Sequence, residues 1–287
     1  MIIDQAELSA ARHRAGLQED KESTDRAMIE AGAPRLRLQT NYIHFASVAC
    51  FLFFWFILSK TLPSDVLPGP VPVFATLWSN LASGEFFYDA AWTLSRVFLS
   101  FISAMMIGVP IGIAMGLNRR VEAAAVIWVM VFLTVPGLVY LILMFMWFGL
   151  NEVSTVLAIT VTGLPSVIIV IWEGVKTIDN KLTSMARAFG VPRTRRISGV
   201  LLPQMLPFFF SATRFGLGVM WKLTVFAELM GRSEGVGFKL NYWYQLYNMR
   251  QVLAWTLSFT LVMLLIELGI IKQLERRLFI WRPRAVL

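Results

Sequence analysis

The chain has 287 residues, of which 57% are hydrophobic and 15% charged, whereas soluble domains are about 25% charged. A mean hydropathy of +0.64 excludes an ordinary cytosolic enzyme, a fibrous protein and a disordered chain, and a single cysteine, Cys50, excludes a disulfide scaffold. The net charge of +8 would point to nucleic acid in a soluble protein, so its location along the chain has to be read first.

Residues 1–41 hold six basic and seven acidic side chains with few aromatics. They predict a solvated extension, with partner docking as the other reading. Six apolar runs follow, over 42–62, 92–117, 122–147, 153–173, 203–231 and 252–271. Each is about 20 residues or longer and reads as a membrane-crossing helix. The expected fold is therefore an all-α integral membrane protein with six transmembrane helices. Between the first two runs, Pro63, Pro68, Pro70 and Pro72 predict an extended stretch. It leads into a short interfacial helix anchored by Trp78, Phe86, Phe87 and Tyr88.

Within the second run Gly108, Gly112 and Gly116 form a smooth stripe on which another helix can pack closely. Pro110, Pro136, Pro165 and Pro207 predict kinks. Arg96, near a span end, reads as snorkelling or pairing with a loop. In the fifth run Arg214, Lys222 and Glu228 are charges inside the membrane, which need a reason. They are candidates for lining a pathway, with pairing between helices or snorkelling as the alternatives. Glu267 reads as interfacial.

Between the fourth and fifth runs, Leu182, Met185, Ala186 and Phe189 recur at helical spacing. Asp179 is the expected N-cap and Gly190 the stop. A second short helix, from about Arg193 to Val200, leads to Leu202-Pro203. Such an amphipathic helix, held between two spans, is shaped to enter a groove of a partner protein.

Nineteen Lys and Arg residues fall on one side: the extension, the second-to-third and fourth-to-fifth connections and the tail. The opposite loops hold Arg232, Lys239 and Arg250. The positive-inside rule then puts both termini in the cytoplasm. The positive charge is mostly topological and gives no support to nucleic-acid binding. No phosphate-binding loop exists, since none of the seven lysines follows a glycine. The two histidines, His13 and His44, join no metal-ligand cluster.

The polar connection at 174–202 resembles the EAA loop of the permease subunit of bacterial ABC importers, in Ala186, Gly190 and Leu202-Pro203. The branch it resembles imports nitrate, sulfonates, taurine, bicarbonate and similar small compounds. That branch is echoed by Leu67-Pro68-Gly69-Pro70, by Gly108 through Gly116, and by Pro136 followed by Trp147 through Glu152. The echo continues in Arg214-Phe215-Gly216-Leu217, Ala227-Glu228 and Gly235-Val236-Gly237-Phe238. The family's Glu and first Ala fall on Ser184 and Met185 here, and Lys222 stands at a position usually uncharged.

The resemblance implies a six-span permease domain over 42–275 and a basic cytoplasmic tail over 276–287, in the bacterial inner membrane. It also implies a second copy of the chain, two ATP-binding subunits and an external solute-binding protein. ATP and Mg would be held by the partner subunits, and no cofactor by this chain. Leu182, Met185, Ala186, Phe189, Gly190 and Pro203 are the residues expected to couple to the ATPase. The solute is expected to be small and anionic, suited to Arg214 and Lys222. The alternative is a secondary transporter driven by an ion gradient.

Overall fold

The computed structural model describes residues 42–43 and 45–278. The expected extension, His44 and the tail beyond residue 278 lie outside the described residues. The described residues are helical, with no strand among them. They divide at Pro70 into two units.

In the first unit, α1 (Phe45–Thr61) is an apolar helix. A turn at Pro63 follows it, its carbonyl accepting from the Val66 and Leu67 N–H groups.

The second unit begins at Val71, within α2 (Pro70–Ala82), the short helix expected before the second run. Gly84, at φ 79°, turns the chain into α3 (Glu85–Leu117). That helix starts seven residues before the expected span. Three of the expected anchors, Trp78, Phe87 and Tyr88, are exposed. Phe86 is not an anchor: it is buried against Trp255, with ring centroids 5.6 Å apart.

The expected third span, 122–147, is two helices, α4 (Arg119–Thr134) and α5 (Gly137–Phe148), bent by 92°. The cause is local. Pro136 disfavours helical geometry at the residue before it, and Val135 is extended at ψ 125°. The Tyr140 hydroxyl spans the break, donating to the Phe132 carbonyl at 2.8 Å. The other three prolines stay inside continuous helices.

Asn151 opens α6 (Glu152–Lys176) with a capping box: its side chain accepts from the Ser154 N–H while the Ser154 hydroxyl accepts from the Asn151 N–H. Then come α7 (Asn180–Ala188), α8 (Arg193–Arg196), a π segment over Ile197–Leu201 and α9 (Leu202–Leu229). The chain ends through α10 (Val236–Gln245), α11 (Met249–Leu265), a second π segment over Ile266–Ile271 and α12 (Lys272–Leu278). Among the described residues, α3, α6 and the stretch Met249–Glu275 are each long and apolar enough to cross a membrane. The α4–α5 pair makes a fourth if it counts as one span.

The core is built around α6, and glycines set its spacing. The expected stripe on α3 faces α6: a Cβ at Gly108, Gly112 or Gly116 would meet Val167, Ile171 or Val175. On its other side, α6 offers Gly163 to Met220 and Gly174 to Phe208 of α9. Lipid chains are as apolar as leucine, so close backbone approach and dispersion, rather than exclusion of water, hold such helices together.

Candidate functional site

The connection between α6 and α9 forms an open platform. The Asp179 side chain caps α7 by accepting from the Lys181 N–H at 2.8 Å. Gly190, at φ 67°, closes it: the Val191 N–H reaches the Ala186 carbonyl at 3.0 Å and the Gly190 N–H reaches that of Arg187. Leu182, Met185 and Ala186 line a concavity of about 530 Å3 with Val200, Pro203 and Gln204. Phe189 lies outside it and is 81% exposed. Lys181, Arg187, Arg193 and Arg195 are exposed too, and none has a carboxylate within 4 Å among the described residues.

At the opposite end of α6 the polar groups are closed on one another. Arg96 of α3 is 1% exposed. Its Nε and Nη2 donate to the two oxygens of Glu152 at 2.9 and 2.8 Å. Its Nη1 donates to Glu228 Oε1 at 2.6 Å and to the Glu234 carbonyl at 2.9 Å. Such two-pronged, charge-assisted contacts are the strong ones. Arg96 therefore neither snorkels nor merely pairs with a loop: it ties α3 to α6 and α9. Glu228 Oε2 accepts from the Thr93 hydroxyl at 2.9 Å and the Gly237 N–H at 2.8 Å.

The start of α10 folds over this carboxylate. Its N–H groups have no partners within the helix, and side chains supply them: Gly235 donates to Asp89 and Val236 to the Thr93 hydroxyl, both at 2.9 Å. The glycines are required by space, since a Cβ at Gly235 or Gly237 would collide with Glu228. Arg232 also pairs with Glu152. Its burial, together with the neighbouring Arg96 guanidinium, pulls its pKa below the usual arginine range.

The three charges of the fifth run thus stand apart. Glu228 belongs to the closed network. Arg214 is half-exposed and reaches Glu275 at 2.8 Å and Glu267 at 3.7 Å. Lys222 is exposed and has no carboxylate within 4 Å among the described residues; its ammonium lies 6.0 Å from the Trp221 ring. Of the three, Lys222 is therefore the charge without a partner of opposite sign among the described residues. Asp89, Thr93, Glu152 and Arg232 belong to the site without having been candidates. The signal for them was the spacing from Glu228 to the Gly235–Gly237 pair, which shows its meaning only once the chain is folded.

Residues 108–280 match the family described as binding-protein-dependent transport system inner membrane component. The taurine transport system permease protein TauC of Escherichia coli (strain K12) is 34% identical over 207 residues, covering 72% of each chain. The nitrate import permease protein NrtB of Synechococcus elongatus is 25% identical over 215 residues, 71% of this chain and 76% of that one. Among solved structures, the inward-facing MetNI methionine ABC transporter matches with a TM-score of 0.58 at 19% identity, covering 65% of this chain and 92% of that chain. At that identity the likeness speaks for the fold alone.

Proposed function

The chain belongs to the family of binding-protein-dependent transport system inner membrane components, as a multi-pass permease of an ABC importer, and from that premise we propose how it works. It crosses the membrane six times with both termini in the cytoplasm. It pairs with a second copy and carries a small anion, handed over by an external binding protein, along the interface between the copies. A relative named for nitrate supports an anionic cargo, and one named for taurine, a zwitterion, supports a cargo that carries an anionic group.

Two ATP-binding subunits hold ATP and Mg. Each receives one α7 through Leu182, Met185, Ala186 and Phe189, with Gly190 and Pro203 fixing the ends of the platform. ATP binding draws the two platforms together, and α6 and α9 carry that movement to the far end. Release of ADP and phosphate resets it. Arg214 and Lys222 are the pathway candidates, whereas Glu228 serves the ion network that joins α3, α6 and α9. The observation that carries this reading is the platform itself, where Phe189 and Met185 stand uncovered at the end of a well-capped helix.

Purification of the tagged chain from its native cells in mild detergent, with mass spectrometry of the associated proteins, tests the proposal. A P-loop ATPase and a secreted binding protein are the expected companions. The chain alone, across several detergents, would sink the coupling reading and favour an ion-driven transporter.

A further inference from the structure

We propose that Lys222 is the charge-selecting residue of the pathway, the side chain that makes it favour anions over cations. This rests on the permease reading and deepens it, by assigning selection to one residue rather than to both exposed cations of α9.

Two faces of α9 differ. Ala212, Gly216, Met220, Leu223 and Ala227 are buried, whereas Ser211, Phe215, Lys222 and Phe226 are exposed along one stripe. Gly218 lies on that stripe one turn from Lys222, and its missing side chain opens on empty space. Arg96 and Arg214 both have carboxylate partners. Among the described residues Lys222 has only the Trp221 ring, at 6.0 Å, near the limit of a cation–π contact.

Snorkelling does not relieve it. Lys222 stands seven residues from the end of α9 at Leu229, roughly 10 Å at 1.5 Å per residue. Side chains on a helix leave the backbone toward its N-terminus, so the lysine stem sets out toward the far end, roughly 30 Å away. An unpaired ammonium held in mid-helix is stable where water or an anion meets it. In a pair of copies each contributes one.

The test needs no knowledge of the cargo. In the complex with its ATPase, with Cys50→Ser removing the native thiol, Gly218→Cys is challenged with membrane-impermeant thiol reagents. One carries a sulfonate, the other a quaternary ammonium. The anionic reagent is expected to react about tenfold faster, a modest figure for a unit charge one turn away at an effective dielectric of about 20. Adding Lys222→Met is expected to erase that preference. Phe226→Cys, one turn beyond Lys222, serves if the first variant does not insert. A ratio unmoved by Lys222→Met overturns the assignment, and so does a stripe that neither reagent reaches. ATP hydrolysis in the same vesicles reads the permease separately. Coupled hydrolysis with an unmoved ratio removes the lysine's role and leaves the permease standing. Absent coupling in the parent complex removes the permease reading itself.

Discussion

The two ends of α6 treat their polar and apolar groups in opposite ways. At Glu152 four oxygens, two from Glu152 and two from Glu228, all have donors. About 36 Å away along the helix, beyond Lys176, α7 leaves Phe189 and Met185 uncovered. At the first end these carboxylate oxygens find their donors within one chain. The second is well folded but leaves Phe189 and Met185 uncovered, as the proposed docking to an ATP-binding subunit requires. A closed end holds α3, α6 and α9 together, so a push on the platform has a stiff body to act upon.

The contrast is broken most severely by Arg96→Met. Removing one member of a buried ion pair costs about 3–5 kcal/mol; here Glu228 loses its cationic partner while Glu152 keeps Arg232. Thermal unfolding of the purified chain in detergent is expected to shift down sharply. A transition left where it was would show that the ion network does not hold the closed end. Next comes Gly116→Leu, which drives a side chain into Val175; overpacking of this kind costs about 1–3 kcal/mol, read as a lower unfolding temperature with α3 still inserted. Asn151→Ala dissolves the capping box of α6 and is expected to cost about 1 kcal/mol, measurable in the same assay. Phe189→Asp sits last on the stability scale, within about 0.5 kcal/mol. It is nonetheless expected to abolish ATP hydrolysis stimulated through the complex, whereas stimulation at the parental level would mean that docking occurs elsewhere.

What the sequence made legible follows the same division. The limits of α7 were readable because Asp179 and Gly190 act on their own neighbours, through a side-chain cap and a left-handed turn. The glycine stripe was readable because small residues four apart on a helix can only mean close approach. The closed end was not, since Arg96 lies 56 residues from Glu152 and 132 from Glu228, and no local rule joins them. Pro136 was read as a kink in one span, but the chain uses it for a 92° corner. Hydropathy is blind to that difference, because the apolar run continues across the corner from Ala123 to Phe148. No expectation covered α10, whose mixture of aromatic and polar residues has neither the length nor the purity of a span.

The spacing of the Arg96 network also sets an order of events during synthesis. At about 5–20 residues per second, Glu152 follows Arg96 after roughly 3–11 s and Glu228 after roughly 7–26 s. Until then the arginine of an early-made membrane helix has no partner, and it needs water or a membrane surface to shelter it. Glu152 claims two of its nitrogens first; Glu228 takes the third only when most of the chain has been made. That end of the bundle is therefore locked from the C-terminal side, and a nascent chain cut short before Glu228 leaves the Arg96 Nη1 without its acceptors, the Glu228 carboxylate and the Glu234 carbonyl, a mark by which an unfinished product differs from a finished one.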